Sequence, residues 1–267
     1  MEWRTGERLW LDIGADRLEG RCWGPSPDAA RTIVMLHEGL GCVDLWRDFP
    51  EAVAEATGCG VFAYSRAGYG RSSQCDLPRS QNYMTCEAKA VLPEILDAIG
   101  VRKGVLLGHS DGATIAAEYL GLFQDHRIRG LILMAPHFFA EQESHDAIAA
   151  AQTAFLETDM SAKMARYHDH PEIAFRGWAE AWLRPDFKEW NVSDCIDYWR
   201  VPCLAIQGFD DQYGTPAQIE EITSRAYSPV DAVLLEDCRH APHFEQRDRT
   251  LAEVTEFMER LERIEPA

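Results

Sequence analysis

Hydrophobic residues in this chain gather into short, nearly continuous runs separated by longer mixed stretches. Thr32–His37 (TIVMLH), Gly60–Ser65 (GVFAYS), Lys103–Gly108 (KGVLLG) and Arg129–Ala135 (RGLILMA) are four such runs. A strand that is apolar at nearly every position is buried on both faces, which is the mark of a parallel sheet covered by helices on either side. The stretches between, around Leu45–Thr57, Tyr83–Ile99 and Gly112–Phe123, read as the covering helices. The start of the chain differs. Arg8–Ile13 and Arg17–Trp23 alternate apolar with polar and are joined by Gly14-Ala15-Asp16, which predicts a β-hairpin.

The rhythm stops after Pro136. From His137 to Tyr198 the chain is helix-like, rich in Trp, Phe, His and acidic residues, with no strand candidate. It resumes with Pro202–Gln207 (PCLAIQ), a helix from Pro216, a strand at Asp231–Leu235 and a last helix around Phe244–Ile264. This pattern predicts an α/β core from residues 1–136 and 199–267, with residues 137–198 inserted as a helical cap over one sheet edge. The cap aromatics (Phe138, Phe139, Phe155, Phe175, Trp178, Trp182, Trp190, Trp199) are expected to form mostly core, with a few lining an apolar pocket.

Composition narrows the function. The 267 residues carry a formal net charge of −18, which disfavours nucleic acid and anionic membrane surfaces as partners. No apolar run approaches the ~18 residues of a membrane span, and the N-terminus lacks the apolar core of a signal peptide. The eight cysteines form no CxxC pair. They are expected to be reduced thiols of a cytoplasmic chain. The oligomeric state is open, a homo-oligomer included.

The chemistry gathers at strand ends. Gly108-His109-Ser110-Asp111-Gly112 follows an apolar strand and opens a helix, so Ser110 is a candidate nucleophile on a tight strand-to-helix turn. Past the strand ending at Gln207, Gly208-Phe209-Asp210-Asp211 offers two candidate acids, of which Asp211 is preferred; the alternative is that both cap the next helix. The loop Glu236–His243 offers His240 as base, with His243 as a cap or packing residue. A neutral serine needs such a base to take its proton, and the base needs a carboxylate to fix its tautomer. Two backbone N–H donors must face the oxyanion. Asp111 would give one, and the loop His37-Glu38-Gly39-Leu40-Gly41 the other.

Two other signals are weaker. Gly68-x-Gly70 lacks the third glycine of a dinucleotide loop, and Tyr167-His168-Asp169-His170 reads as surface cap histidines rather than a metal site. Neither a cofactor nor a metal is expected.

Taken together, HEGLG with the later Trp46, Tyr64–Ser72, GHSDG, GFDD and RHAPH resemble the α/β-hydrolase superfamily over essentially the whole chain. The resemblance implies an eight-stranded, mostly parallel sheet with a helical cap after the sixth strand, and Ser110, Asp211 and His240 as nucleophile, acid and base. Glu38 stands between His37 and Gly39 where the family has His-Gly, which leaves the second oxyanion donor at Gly39 or Leu40. The implied function is hydrolysis of a small carboxylic ester or thioester through an acyl-serine intermediate. Alternatives are C–C bond hydrolysis of a diketone-type ring-fission product and a non-catalytic ligand-binding protein. Asp111 has two readings: a helix N-terminal charge, or a carboxylate facing the pocket to receive a cationic substrate group.

Overall fold

The structure, a computed structural model, describes residues 2–264; residues 1 and 265–267, the outer limits of the expected core, lie outside the described residues. Eight strands form one sheet: β1 (Arg8–Ile13), β2 (Asp16–Trp23), β3 (Thr32–Leu36), β4 (Gly60–Tyr64), β5 (Gly104–His109), β6 (Ile128–Met134), β7 (Cys203–Gly208) and β8 (Val230–Leu235). Their order is β1-β2-β4-β3-β5-β6-β7-β8. β2 runs antiparallel to β1 and β4, and the remaining pairs are parallel. β3, β4, β5 and β7 are buried at every residue, as their unbroken apolar runs require. Alternate side chains go to opposite faces: Val34, Leu36 and Leu106 join one hydrophobic cluster, while Ile33, Met35 and Val105 join the other.

The helices are α1 (Phe49–Thr57), α2 (Tyr83–Cys86), α3 (Leu92–Ile99), α4 (Asp111–Leu122), α5 (Gln142–Glu157), α6 (Met160–Met164), α7 (Pro171–Trp182), α8 (Ala217–Arg225), α9 (Pro242–Glu245) and α10 (Arg247–Ile264). Two expected single helices are divided. The stretch from Leu45 becomes a 3-10 turn, Val43–Trp46, and α1, because Arg47 takes a positive φ of 54° between them. Tyr83–Ile99 becomes α2, a π-helical turn over Glu87–Val91, and α3. The Leu92 N–H reaches back to the Glu87 carbonyl, next to Pro93, which has no N–H to continue an α ladder.

Between β6 and β7 the chain forms α5, α6, α7 and two 3-10 turns, Pro185–Glu189 and Ser193–Tyr198. An antiparallel bridge from Phe139 to Asn191 draws the two ends of this segment together. Its aromatics pack on one another: Phe155 stacks on Phe175 at 4.0 Å, and Trp182 sits 4.7 Å from Phe187 and 5.6 Å from Trp190. All eight cysteines are free, five of them buried.

Candidate active site

The strand-to-helix corner explains its two glycines. Ser110 sits at φ 52° and ψ −119°, a strained combination that non-glycine residues rarely adopt. A Cβ on Gly108 would lie 2.3 Å from the Gly112 carbonyl oxygen, and one on Gly112 would lie 2.1 Å from that of Leu36. Both positions must be bare for β5 to turn into α4 against β3. The corner lifts Ser110 out of the sheet edge into the wall of a cavity of about 80 Å³, which it shares with His240, His137, Tyr213, Glu38, Gly39 and Trp178 among others.

A third glycine brings the candidate acid and base together. Gly208, at the end of β7, has the Cys238 and Arg239 carbonyls crossing where its Cβ would be, at 2.2 and 2.1 Å. The loop carrying His240 therefore lies directly over the one carrying Asp211. His240 Nδ1 is 2.9 Å from each Asp211 carboxylate oxygen. A carboxylate only accepts, so Nδ1 carries the proton and Nε2 is left as the basic nitrogen. The Tyr213 N–H also donates to Asp211, at 2.8 Å. Burial works to raise the Asp211 carboxyl, but the charge and hydrogen bond of His240 outweigh it and hold the group below its ordinary value. Asp210 is exposed, and only its backbone is engaged, at the Cys238 carbonyl. His243 is buried between Trp46 and His109, at 5.0 and 4.8 Å, away from Asp211. Among the described residues, no hydrogen bond joins the Ser110 hydroxyl to His240.

The loop after β3 is pinned from behind. The Glu38 carbonyl accepts from His37 Nδ1 at 2.7 Å, from the Gly41 N–H at 3.1 Å and from Arg66 Nη2 at 3.1 Å. The His37 tautomer follows, because the Arg66 N–H donates to its Nε2 at 3.0 Å. In a trans peptide the C=O and the next N–H point in opposite directions. Holding the Glu38 carbonyl toward Arg66 thus turns the Gly39 N–H the other way, and that N–H meets no acceptor among the described residues. The N–H of Asp111, first residue of α4, likewise has no preceding turn to accept it.

The Asp111 side chain does not face the pocket. It is fully buried on the far side of the corner, 3.6 Å from Arg66 Nη2, and receives a short hydrogen bond from the Tyr83 hydroxyl. Trp182 in turn donates to Tyr83 at 3.0 Å. The reading in which this carboxylate receives a cationic substrate group is overturned: the group is fully buried, it does not line the pocket, and Arg66 and Tyr83 lie on its Oδ2, although burial still holds its carboxyl above the ordinary value.

Residues that the sequence did not single out complete the site. Glu38 lines the pocket with its carboxylate 3.5 Å from His109 Nδ1, while His109 Nε2 donates to the His240 carbonyl at 2.7 Å. Burial works to raise the Glu38 carboxyl, and His109 outweighs it, holding the group well below the usual carboxylate range. Of the aromatics between β6 and β7, Trp178 and Trp182 reach the pocket. The one available signal for these residues was adjacency: Glu38 and His109 each neighbour a residue already chosen.

His168 is not a surface residue, as expected, but is 2% exposed. The Gly70 N–H donates to its Nδ1 at 2.9 Å, and its Nε2 donates to the Leu40 carbonyl at 3.1 Å. His168, in the segment between α6 and α7, thus ties the loop after β4 to the loop after β3 through both ring nitrogens. His170 is exposed and contacts Gln74.

With this geometry in view, comparisons with known proteins identify relatives. The family model for the alpha/beta hydrolase fold matches residues 31–176. The chain is similar to a human (lyso)-N-acylphosphatidylethanolamine lipase, with 26% identity over 190 residues, covering 68% of this chain and 54% of the lipase. It is also similar to a proline iminopeptidase of Lactobacillus delbrueckii subsp. bulgaricus, with 25% identity over 240 residues, 76% of this chain and 81% of the peptidase. The chain spans about half the length of the lipases it matches. Among solved structures, an enol-lactonase from Burkholderia xenovorans LB400 superposes with a TM-score of 0.74 at 18% identity, over 94% of this chain and all of that one.

Proposed function

The chain belongs to the alpha/beta hydrolase fold family, and from that premise we propose that it hydrolyses a small carboxylic ester through an acyl-serine intermediate. Ser110 is the nucleophile, His240 the general base and Asp211 the residue that orients and charges His240. The observation that carries this is the Asp211–His240 pair at 2.9 Å, whose ring shares a pocket with a serine held on a strained corner. In the reaction His240 Nε2 takes the Ser110 proton as Oγ attacks the carbonyl carbon. The Gly39 and Asp111 N–H groups hold the oxyanion; Gly39 is preferred to Leu40 because the Glu38 carbonyl is fixed in the opposite direction. His240 then gives its proton to the leaving alcohol, later takes one from the water that attacks the acyl carbon, and returns it to Ser110 Oγ as the acyl C–O bond breaks and the acid leaves. The open Ser110–His240 spacing fits a resting site, since catalytic hydrogen bonds tighten when substrate binds.

Residues 137–198 serve in this reading as a cap, with Trp178 and Trp182 closing the pocket above Ser110. Neither acid–base nor nucleophilic step calls for a cofactor. Relatives named as a lipase, an iminopeptidase and an enol-lactonase support hydrolysis while differing in the bond cut. The test is labelling by a fluorophosphonate probe with peptide mapping, together with turnover of p-nitrophenyl esters of increasing acyl length. Ser110 should be labelled, and Ser110→Ala should lose labelling and roughly 10³-fold or more in kcat while staying folded. A Ser110→Ala variant that keeps a tenth of the activity overturns the assignment, and an unlabelled, inactive wild type favours a ligand-binding protein.

A further inference from the structure

His137, the residue directly after Pro136 and the third past the end of β6, lies in the wall of the pocket. It is 2% exposed and lines the same pocket as Ser110, with its ring 5.8 Å from that of His240. Of the other buried imidazoles, His37 and His168 bond through both nitrogens and His109 through one, and His243, whose Nδ1 also lacks a partner, packs against Trp46 and His109 and does not line the pocket. The His137 ring makes no hydrogen bond through either nitrogen among the described residues, and its Nδ1 is buried without a partner. Only its backbone is engaged, the carbonyl accepting from the Thr114 hydroxyl at 2.7 Å. The ring is held in place by apolar contact, with Trp182 edge-on at 5.2 Å and Gly214 leaving room beside it.

A buried imidazole that has given up water without gaining a protein partner is costly. Nδ1 lies fully buried beside Gly214, so Nε2, which has no partner among the described residues either, is the ring atom that a substrate filling this pocket can bond. We propose that His137 is a specificity-determining residue, and that the substrate is an ester bearing a hydroxyl on its acyl or its alcohol side, placed to bond that ring. This deepens the serine-hydrolase reading above and rests on it. The hydroxyl follows from the chemistry of the ring: a neutral imidazole has one donor and one acceptor, and a hydroxyl matches it in either tautomer. Burial, with His240 beside it, pushes His137 down to about 3, so the ring is neutral at ordinary pH and offers no attraction to an anion. The Glu38 carboxylate in the same wall further disfavours an acidic group. Trp178, Trp182 and Ile148 supply the apolar remainder.

The test uses two matched pairs of esters, one for each side of the bond. p-Nitrophenyl 3-hydroxybutyrate is compared with p-nitrophenyl butyrate, and 2-hydroxyethyl butyrate with propyl butyrate, by kcat/KM. Wild type should favour the hydroxylated member of at least one pair roughly tenfold or more, the scale set by an unpaired buried polar group. His137→Phe should bring that ratio close to one, and His137→Gln, which keeps a donor and an acceptor, should recover part of it. Thermal melts of both variants, and fluorophosphonate labelling of Ser110 in each, are run alongside. Labelled, folded enzymes with no preference in either pair, or a preference that survives in His137→Phe, overturn the inference about His137 alone. A wild type that is neither labelled at Ser110 nor active on any of the four esters overturns the hydrolase reading beneath it.

Discussion

The pocket has two walls, and they are built differently. One is the edge of the sheet, where β3, β5 and β7 deliver Gly39, Ser110 and Asp211. Its parts are set by main chain against main chain: bare α-carbons at Gly108, Gly112 and Gly208 let backbone atoms approach to distances that a Cβ would close off. The other wall comes from the helices between β6 and β7, through Ser144, Ile148, Trp178 and Trp182. It is set by side chains: stacked rings, the hydrogen bond from Trp182 to Tyr83, and the Ser144 hydroxyl on the Tyr213 carbonyl. Backbone contacts barely yield, whereas side-chain packing re-forms at modest cost. In the proposed reaction, the stiff wall holds the atoms that react and the adaptable wall selects what enters.

The largest expected effect lies on the stiff wall. Asp211→Asn should cost roughly 10³-fold or more in kcat, because an amide no longer holds His240 in the tautomer that leaves Nε2 basic. Asp210→Asn, one residue away and exposed, should change kcat by no more than about twofold, as surface changes usually do. Steady-state kinetics decides, and the reverse order would break the assignment of this wall.

Next comes a direct contrast of backbone with side chain. Gly112→Ala places a Cβ against the Leu36 carbonyl, whereas Gly39→Ala places one 2.2 Å from the Trp178 indole, which can shift. Gly112→Ala should cost about 3 kcal/mol or more and Gly39→Ala about 1 kcal/mol, read from denaturant midpoints. Equal losses would mean that the two walls are equally rigid.

A smaller effect tests the seam where α4 meets the turn Ser193–Tyr198. Glu118 is 4% exposed, and burial raises its carboxyl from 4.5 to about 7. A carboxyl with a raised pKa in the folded state binds its proton more tightly there than in the unfolded chain. Its contribution to stability is therefore complete below pH 4.5 and is lost as pH rises through about 7. Glu118→Gln, with no proton to lose, should flatten stability across that window and raise both Tm and the free energy of unfolding above neutrality, the latter by on the order of 2 kcal/mol. A pH-independent change in Tm would show that the carboxyl titrates normally.

The smallest effect concerns the link between walls. Trp182→Phe keeps most of the packing and removes the N–H that Tyr83 accepts. Stability should fall by about 1 kcal/mol, with KM rising a few-fold and kcat nearly constant. A large fall in kcat would mean that the cap positions the reacting groups as well as the substrate.

The sequence carried the stiff wall and little of the other. Apolar runs at β3, β4, β5 and β7 marked strands buried on both faces, and the glycines around Ser110 marked a corner, because a parallel sheet and a tight turn each impose local composition. The carboxylates just past β7 and the histidines of the loop after β8 offered Asp211 and His240, which the resemblance to a known family also implied, and the loops over Gly208 bring these two together. Local pattern did not show that His168 is buried, because its burial depends on a loop after β3 lying far away in sequence. The same holds for Asp111. Its position at the start of a helix was legible, but whether its carboxylate turned toward the pocket or toward Arg66 and Tyr83 depended on partners from β4's loop and α2.

What the chain determines locally is therefore the order of strands and helices, the corner at Ser110 and the residue types that cluster at strand ends. Periodicity and steric limits act over a few neighbours and leave their trace in the sequence itself. Which buried polar group finds a partner was decided only by the tertiary structure. His37, His109, His137, His168 and His243 are the same residue type in similar apolar settings, yet His37 and His168 are fully bonded while the His137 and His243 rings have no hydrogen-bond partner among the described residues. A hydrogen bond needs two atoms about 3 Å apart, and for groups separated by tens of residues only the packed fold sets that distance.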